Sequence, residues 1–241
     1  ESSGQELAVC LVEKGSESGA HILSGAVFQP TALNELMPDW AGLGAPVNNP
    51  VTDDVIYIMP NDKNRIRVPA MFVPKDAHNE GNHAISLGNL CRWLGEQAEG
   101  MGVNIFPGFA ASEILYNEDG SVAGVATGDM GISVDGERKG TYAPGYELRA
   151  RYTIFVEGCR GHLGKQLMEK FELNEEAATQ HYGIGFKELW AVDPSQAEQG
   201  KVIHSIGWPL GLGPAGPTGG TYLYHLPDNQ VALGLIVDLS Y

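Results

Sequence analysis

An α/β fold with a strand-rich second part is what this sequence predicts, and three observations carry the prediction. Leu7 to Val12 is a short apolar run that stops at Glu13 and Lys14. A second apolar run, Tyr152 to Val156, breaks into Glu157-Gly-Cys-Arg-Gly-His-Leu163 and opens a helix. From Tyr182 onward the pattern changes to short strands with aromatic and glycine punctuation. Short apolar runs of this kind suit buried parallel strands, which need helical connections to cover them.

The first run reads as such a strand, with Cys10 inside it. In dinucleotide folds a carboxylate at the tip of the second strand accepts hydrogen bonds from ribose hydroxyls, about 20 residues past a glycine-rich turn. Glu13 suits that role, and a solvated charge closing a strand accounts for it as well. Only twelve residues precede Glu13 and they hold no glycine-rich turn, so that turn and its strand are expected upstream of residue 1. Next comes Gly19-Ala-His-Ile-Leu-Ser-Gly-Ala26. Its small residues let a backbone lie against a flat ligand, with His21 and Ser24 able to hydrogen-bond it; an ordinary loop histidine fits the same pattern.

Ser86 is placed to cap a helix in which Leu87, Leu90, Cys91, Leu94, Ala98 and Met101 recur at spacings of three and four, and Gly100 or Gly102 ends it. Val103 to Phe106 then reads as a strand. Ala110 to Tyr116 and Val122 to Thr127 flank Asn117-Glu-Asp-Gly-Ser121, a hairpin connection with glycine where positive φ is needed. After a polar turn at Asp135-Gly136, the chain is expected to return from Leu148 to Val156 and complete a three-strand meander.

Glu157 to Leu167 is the strand-to-helix break. N–H groups in the first turn of a helix lack intrahelical partners, and the macrodipole favours an anion beside them. Gly158 and Gly161 would let a dinucleotide pyrophosphate come close to the backbone. A plain turn that needs glycine only for its backbone angles explains the segment equally well.

Past Tyr182, Gly183 to Trp190 and Val202 to Trp208 alternate small and large residues, which suits a sheet with a ligand or helix near one face. A glycine- and proline-rich loop follows, and Gly219-Gly220 leads into Thr221 to Leu226. Adjacent glycines let main-chain groups reach a flat ring; they also serve a plain turn before a strand. Earlier in the chain, Arg65-Ile-Arg-Val-Pro-Ala-Met-Phe-Val-Pro-Lys75 sets apolar side chains between basic ones, and its two prolines forbid a helix or a central strand. Ile66, Val68, Met71, Phe72 and Val73 would enter the acyl boundary of a monolayer while Lys and Arg meet anionic headgroups. A loop folded onto its own core is the competing account.

Composition bounds these readings. A chain of 241 residues with 43% hydrophobic content can bury a core. Thirty acidic against 15 basic residues, a formal charge of -15, argue against nucleic acid as a partner and leave a basic protein partner open. The sequence shows no signal peptide and no apolar stretch long enough to span a bilayer, so any membrane attachment is expected to be peripheral. Cys10, Cys91 and Cys159 are 81 and 68 positions apart, without the close pair usual in zinc or iron–sulfur sites. Cys10 and Cys159 read as small residues beside core strands, and Cys91 as a helix residue. No Ser/His/Asp set or paired carboxylates stand out, as expected where bound redox groups carry the chemistry.

Val9-Cys-Leu-Val-Glu-Lys14, Gly19 to Ala26, Glu157 to Leu163, Tyr182-Gly-Ile-Gly-Phe-Lys-Glu-Leu-Trp190 and Gly219-Gly-Thr-Tyr-Leu-Tyr-His-Leu226 together resemble the electron transfer flavoprotein–ubiquinone oxidoreductase family, from about Ala8 to Tyr241. The resemblance implies an FAD/NAD(P)-binding, Rossmann-like flavoprotein fold carrying an inserted α+β quinone-binding sheet domain. It divides the chain into a partial FAD-binding domain at 1–44 and 81–175, an apolar membrane-facing loop region at 45–80, and a partial ubiquinone-binding domain at 176–241.

Family members hold FAD and one 4Fe–4S cluster, sit on the inner membrane at the bacterial cytoplasmic or mitochondrial matrix face, and pass electrons from reduced electron transfer flavoprotein to ubiquinone. Their chains are longer, with the glycine-rich turn before the match and the cluster cysteines after it. This chain is therefore expected to be an internal piece that ligates no cluster, binds FAD poorly and is inactive alone. By motif match, Glu13 is assigned to the adenosine ribose, His21, Ser24 and Gly25 to the flavin, Gly158 and Gly161 to the phosphates, and Gly219 and Gly220 to the quinone. Related FAD-dependent reductases of the geranylgeranyl reductase or nitrogen-fixation electron carrier type share several of these features. So would an inert quinone- and membrane-binding module.

Overall fold

A computed structural model of the chain describes residues 7–23, 25–212 and 218–239; Ser24 and residues 213–217 of the glycine- and proline-rich loop lie outside them. In chain order the elements are β1 (Cys10–Glu13), β2 (Ala26–Phe28), α1 (Thr31–Leu36), β3 (Asp53–Met59), β4 (Ile66–Arg67), β5 (His83–Ile85), α2 (Leu87–Gly100) and β6 (Asn104–Pro107). There follow β7 (Ala111–Tyr116), β8 (Val122–Thr127), β9 (Met130–Ile132), β10 (Arg138–Ala143), β11 (Glu147–Arg149), α3 (His162–Lys170), β12 (Gly183–Ala191), β13 (Lys201–Gly207), β14 (Gly219–Leu226) and β15 (Gln230–Asp238). The chain forms two compact units, one from residues 1–20 and 95–179, the other from 21–94 and 180–241.

In the first unit β1 runs parallel to β6, with Cys10 opposite Asn104 and Glu13 opposite Pro107. The expected hairpin is present as β7 and β8, with Gly120 at φ 83° in its turn. β11 adds antiparallel to β8 and completes the meander. A further small hairpin, β9 with β10, grows from the Asp135-Gly136 turn. α3 closes this sheet: Leu163, fully buried, packs with Ile114 and Val125, and Leu167 and Phe155 flank them.

Two expectations for this unit are corrected. The return strand reaches only Arg149, and Tyr152 to Val156 belongs to no ladder among the described residues. Tyr152, Ile154 and Val156 are 83%, 82% and 86% exposed while Phe155 packs inward, so the run keeps strand-like alternation without a paired neighbour. Among the described residues β1 pairs with β6, and Leu7, Val9, Cys10 and Leu11 are exposed in this chain. Cys159 is exposed too, so neither of these cysteines is a core residue.

The second unit is organised by a six-stranded sheet of order β12-β15-β14-β13-β3-β4. Every pairing is antiparallel except β13 with β3, where Lys201 lies opposite Asp53. The 45–80 stretch, expected as a loop region, thus supplies a central and an edge strand. Arg65-Ile-Arg fits an edge because the prolines that follow allow no further ladder. Tyr222, Tyr224, Leu226, Val202 and Ala232 pack under the antiparallel β2–β5 pair through Ala84 and Val27. Asn49, buried at 1% exposure, fastens the layers, its Nδ2 donating to the carbonyls of Ala84 (2.9 Å) and His225 (3.0 Å).

α2 begins in this unit, and its residues from Gly95 belong to the first. Ser86 Oγ accepts from the N–H of Asn89, as a cap should, and Gly102 at φ 92° follows the helix end. Leu90 and Trp93 are its buried anchors against Leu33, Val47 and Ile85, whereas Met101, the last residue of the expected stripe, is exposed.

Candidate functional site

Side chains alternate across a strand, so the six-stranded sheet has two chemically distinct faces. The row Tyr222–Gly234–Lys187 points toward the β2–β5 layer, while the rows Thr221–Leu235–Phe186 and Leu223–Leu233–Glu188 point the other way. That second face carries a groove of about 460 Å³, lined by Met59 of β3, Phe186 and Glu188 of β12, Thr221 of β14, Leu233 to Leu235 of β15, and Trp208 and Pro209 past β13. Its walls are apolar, and its polar side chains are Thr221 and Glu188. Thr221 Oγ1 shares a 2.5 Å hydrogen bond with Ser205 Oγ, and Glu188 Oε2 accepts from Trp190 Nε1 at 2.8 Å. Size and lining suit a flat, mostly apolar molecule with a few polar atoms.

Gly219 and Gly220 adjoin Thr221, inside the strand they were expected to precede. A Cβ on Gly219, at φ 153°, would stand 2.1 Å from the carbonyl oxygen of Ile236, and one on Gly220 would stand 2.4 Å from that of Ser205. Close strand approach therefore requires both glycines.

On the covered face sits a group the sequence reading overlooked. Lys187 Nζ donates to the carbonyls of Gly25 (2.5 Å) and Leu23 (3.3 Å) and lies 5.5 Å from the centre of the Tyr222 ring. Burial lowers its pKa. Tyr222 stacks on Tyr224, whose hydroxyl lies 2.9 Å from His204 Nε2. Burial, then Tyr222 and Asp54, push the Tyr224 phenol up to about 12, and burial holds His204 below its ordinary value. The alternation in Gly183 to Trp190 signals that Lys187 and Glu188 take opposite faces. It does not say which face is covered.

The remaining candidates divide between the units. In the first, Glu13 ends β1 and its Oε1 accepts from the N–H of Gly15 at 2.6 Å. Gly158 has φ 75° and open space where a Cβ would stand. Gly161 caps α3, and the donors of that helix start are already engaged: Glu157 accepts from the N–H of Gly164 (2.7 Å) and Leu163 (3.4 Å), with His162 Nδ1 at 3.3 Å. In the second unit His21 is exposed and Gly25, at φ 80°, is buried above Ala232.

The apolar segment is similarly resolved. Ile66, Met71 and Phe72 are exposed, the last two on a short 3-10 turn, Ala70–Phe72. Val68 and Val73 are half-buried and line a recess of about 40 Å³ with Asp54, Ile56 and His78. The tip therefore projects while its shoulders pack.

A family model described as ETF-QO, ubiquinone-binding, matches residues 182–241, the stretch that supplies β12 to β15. An electron transfer flavoprotein-ubiquinone oxidoreductase of Pseudomonas aeruginosa is 61% identical over 240 residues, 99% of this chain. This chain belongs to the electron transfer flavoprotein–ubiquinone oxidoreductase family. The mitochondrial members from Dictyostelium discoideum and Homo sapiens are 52% and 49% identical over 100% and 98% of it. The chain spans 43%, 39% and 38% of the length of these three relatives. Among solved structures, a flavoprotein/dehydrogenase from Cytophaga hutchinsonii aligns at a TM-score of 0.59 with 12% identity, over 98% of this chain and 51% of that one. A probable FAD-dependent monooxygenase from Pseudomonas aeruginosa aligns at 0.53 with 15% identity, over 95% and 53%. The fold of this family member is thus the one those flavoproteins share. Among the described residues no three His, Cys, Asp or Glu side chains converge as metal ligands, and no helix is long and apolar enough to cross a membrane.

Proposed function

We propose that this chain serves the activity its relatives are named for, in which electrons from reduced electron transfer flavoprotein reach ubiquinone, and that the quinone head group occupies the groove on the open face of the six-stranded sheet. The observation that carries this reading is the groove itself: an apolar slot with two polar side chains, built mainly from the residues the ubiquinone-binding family model matches. Gly219 and Gly220 adjoin Thr221 of the groove in β14, paired to Val237 and Ile236 of β15, and are proposed to flank the quinone head.

FAD is the electron-carrying group in this proposal, and its isoalloxazine supplies the redox chemistry. Glu13, a carboxylate at the tip of a parallel strand, suits a ribose hydroxyl. Gly158 leaves open space beside its backbone and suits a phosphate; beside Gly161 that space is filled by Glu157, whose carboxylate engages the amides of Leu163 and Gly164. His21 and Gly25 are proposed for the flavin side. An iron–sulfur cluster would need cysteines other than these three.

Membrane attachment is proposed through Met71, Phe72 and Ile66, peripheral on an inner membrane. From Asp62 to Asp76 the chain holds four basic and two acidic residues, a local excess of positive charge in a protein of net charge -15. Anionic lipid would favour that segment over the rest of the surface.

A photoreactive short-chain ubiquinone, incubated with the complete protein and followed by peptide mapping, tests the groove. Labelling on peptides containing Phe186, Trp208 or Leu233 supports it. Labelling confined to other segments would refute it.

A further inference from the structure

Reducing a quinone to a quinol breaks two carbonyl π bonds and forms two O–H bonds, so two protons must arrive with the two electrons. Apolar walls supply none. Of the groove's side chains Glu188 alone carries a titratable group, since Met59, Phe186, Trp208, Pro209, Leu233 and their neighbours have no acid to offer. Thr221 is engaged with Ser205 at 2.5 Å, and an aliphatic hydroxyl cannot release its proton to a neutral carbonyl. Glu188 is exposed, so solvent can reload it. It is also held: Trp190, two residues on and on the same face of β12, donates its indole N–H to Oε2 at 2.8 Å.

We propose that Glu188 is the catalytic proton relay to the bound quinone. The carboxyl O–H bond breaks as the new O–H forms on a quinone oxygen. The carboxylate left behind takes a replacement proton from solvent, and the second transfer repeats the first. The two electrons come from reduced electron transfer flavoprotein by way of the flavoprotein's redox groups. This assignment rests on the reading that ubiquinone occupies the groove. It adds the source of the protons, a general-acid role that aligned side chains fill at a distance of one hydrogen bond.

Glu188→Gln and Glu188→Asp, made in the complete protein, provide the test. General acid catalysis contributes about 10²- to 10⁴-fold, so E188Q is expected to lose at least about tenfold in kcat for ubiquinone reduction. It should also flatten the pH profile and retain quinone labelling of the groove and reduction of the flavin by electron transfer flavoprotein. E188D should recover part of the rate and the pH dependence. If E188Q binds quinone and keeps the parent's kcat and pH profile, the relay is overturned while the groove stands. If the photoreactive quinone labels only segments outside the groove, the binding reading falls and the relay with it.

Discussion

Replacing Met71 and Phe72 by serine isolates the apolar tip of the basic segment. The two side chains are 83% and 73% exposed, so most of their surface is available for transfer out of water. Full burial of a Met or Phe is worth about 1.5–3 kcal/mol, and scaling by the exposed share gives roughly 2.3–4.7 kcal/mol for the pair. At 1.4 kcal/mol per tenfold, the double variant should partition onto vesicles roughly 40- to 2,000-fold less strongly. Val73 is left unchanged because it is half-buried beside His78, and truncating it would disturb folding as well. Lys63, Arg65, Arg67 and Lys75 add about 1 kcal/mol each near an anionic surface, less for Arg67, which stands 3.5 Å from Asp53. Sedimentation with anionic and neutral vesicles separates the two contributions. Thermal melting should stay within about ±0.5 kcal/mol of the parent, as for other exposed positions. A double variant that sediments with vesicles as the parent does would show that this tip does not enter lipid.

Leu163→Ala should cost about 2–5 kcal/mol in urea denaturation, because the side chain is fully buried between α3 and the meander; a cost under about 1 kcal/mol would contradict that packing. Asn49→Ala removes the side-chain donor to the buried Ala84 carbonyl, while the His225 carbonyl keeps the N–H of Gly200, and should cost about 1–3 kcal/mol, read by the same assay. Burial lowers the pKa of His83, His204 and His225 from the ordinary 6.5, so the unfolded chain takes up protons before the folded one does. Their contribution is complete above about 6.5 and lost as pH falls through the depressed values. Denaturation midpoints equal at pH 7.5 and pH 5 would refute it.

Elements whose cause is local were readable from the sequence. Ser86 and Gly102 bracket α2 because capping and positive φ are decided within a turn, and Asn117 to Ser121 sets the β7–β8 hairpin for the same reason. Burial of β1 and pairing of Tyr152 to Val156 depend on a neighbouring strand, which an apolar run alone does not supply. The parallel docking of β3 on β13 was invisible for the same reason: its partner is more than a hundred residues away. In the candidate site, Gly219 and Gly220 were readable as a paired feature. Glu188 and Lys187 were not, because which face of a strand is covered is decided by the β2–β5 pair laid on it. Glu157, read as part of an anion seat, turned out to be the anion at α3's first amides.

The β3–β13 ladder also has a bearing on where this protein can be divided. Residues 182–241 supply four of the six strands, and β3 and β4 come from residues 53–67. A piece cut to the matched region would leave β13 as a bare edge, its seven-residue parallel register with β3 open to any passing strand. During synthesis the position is reversed: β3 and β4 emerge early and can pair with each other, but the other edge of β3 stays open until residues 201–207 have been made. Sheet closure in this unit is therefore a late and long-range event, slow by topology and exposed to aggregation until it occurs.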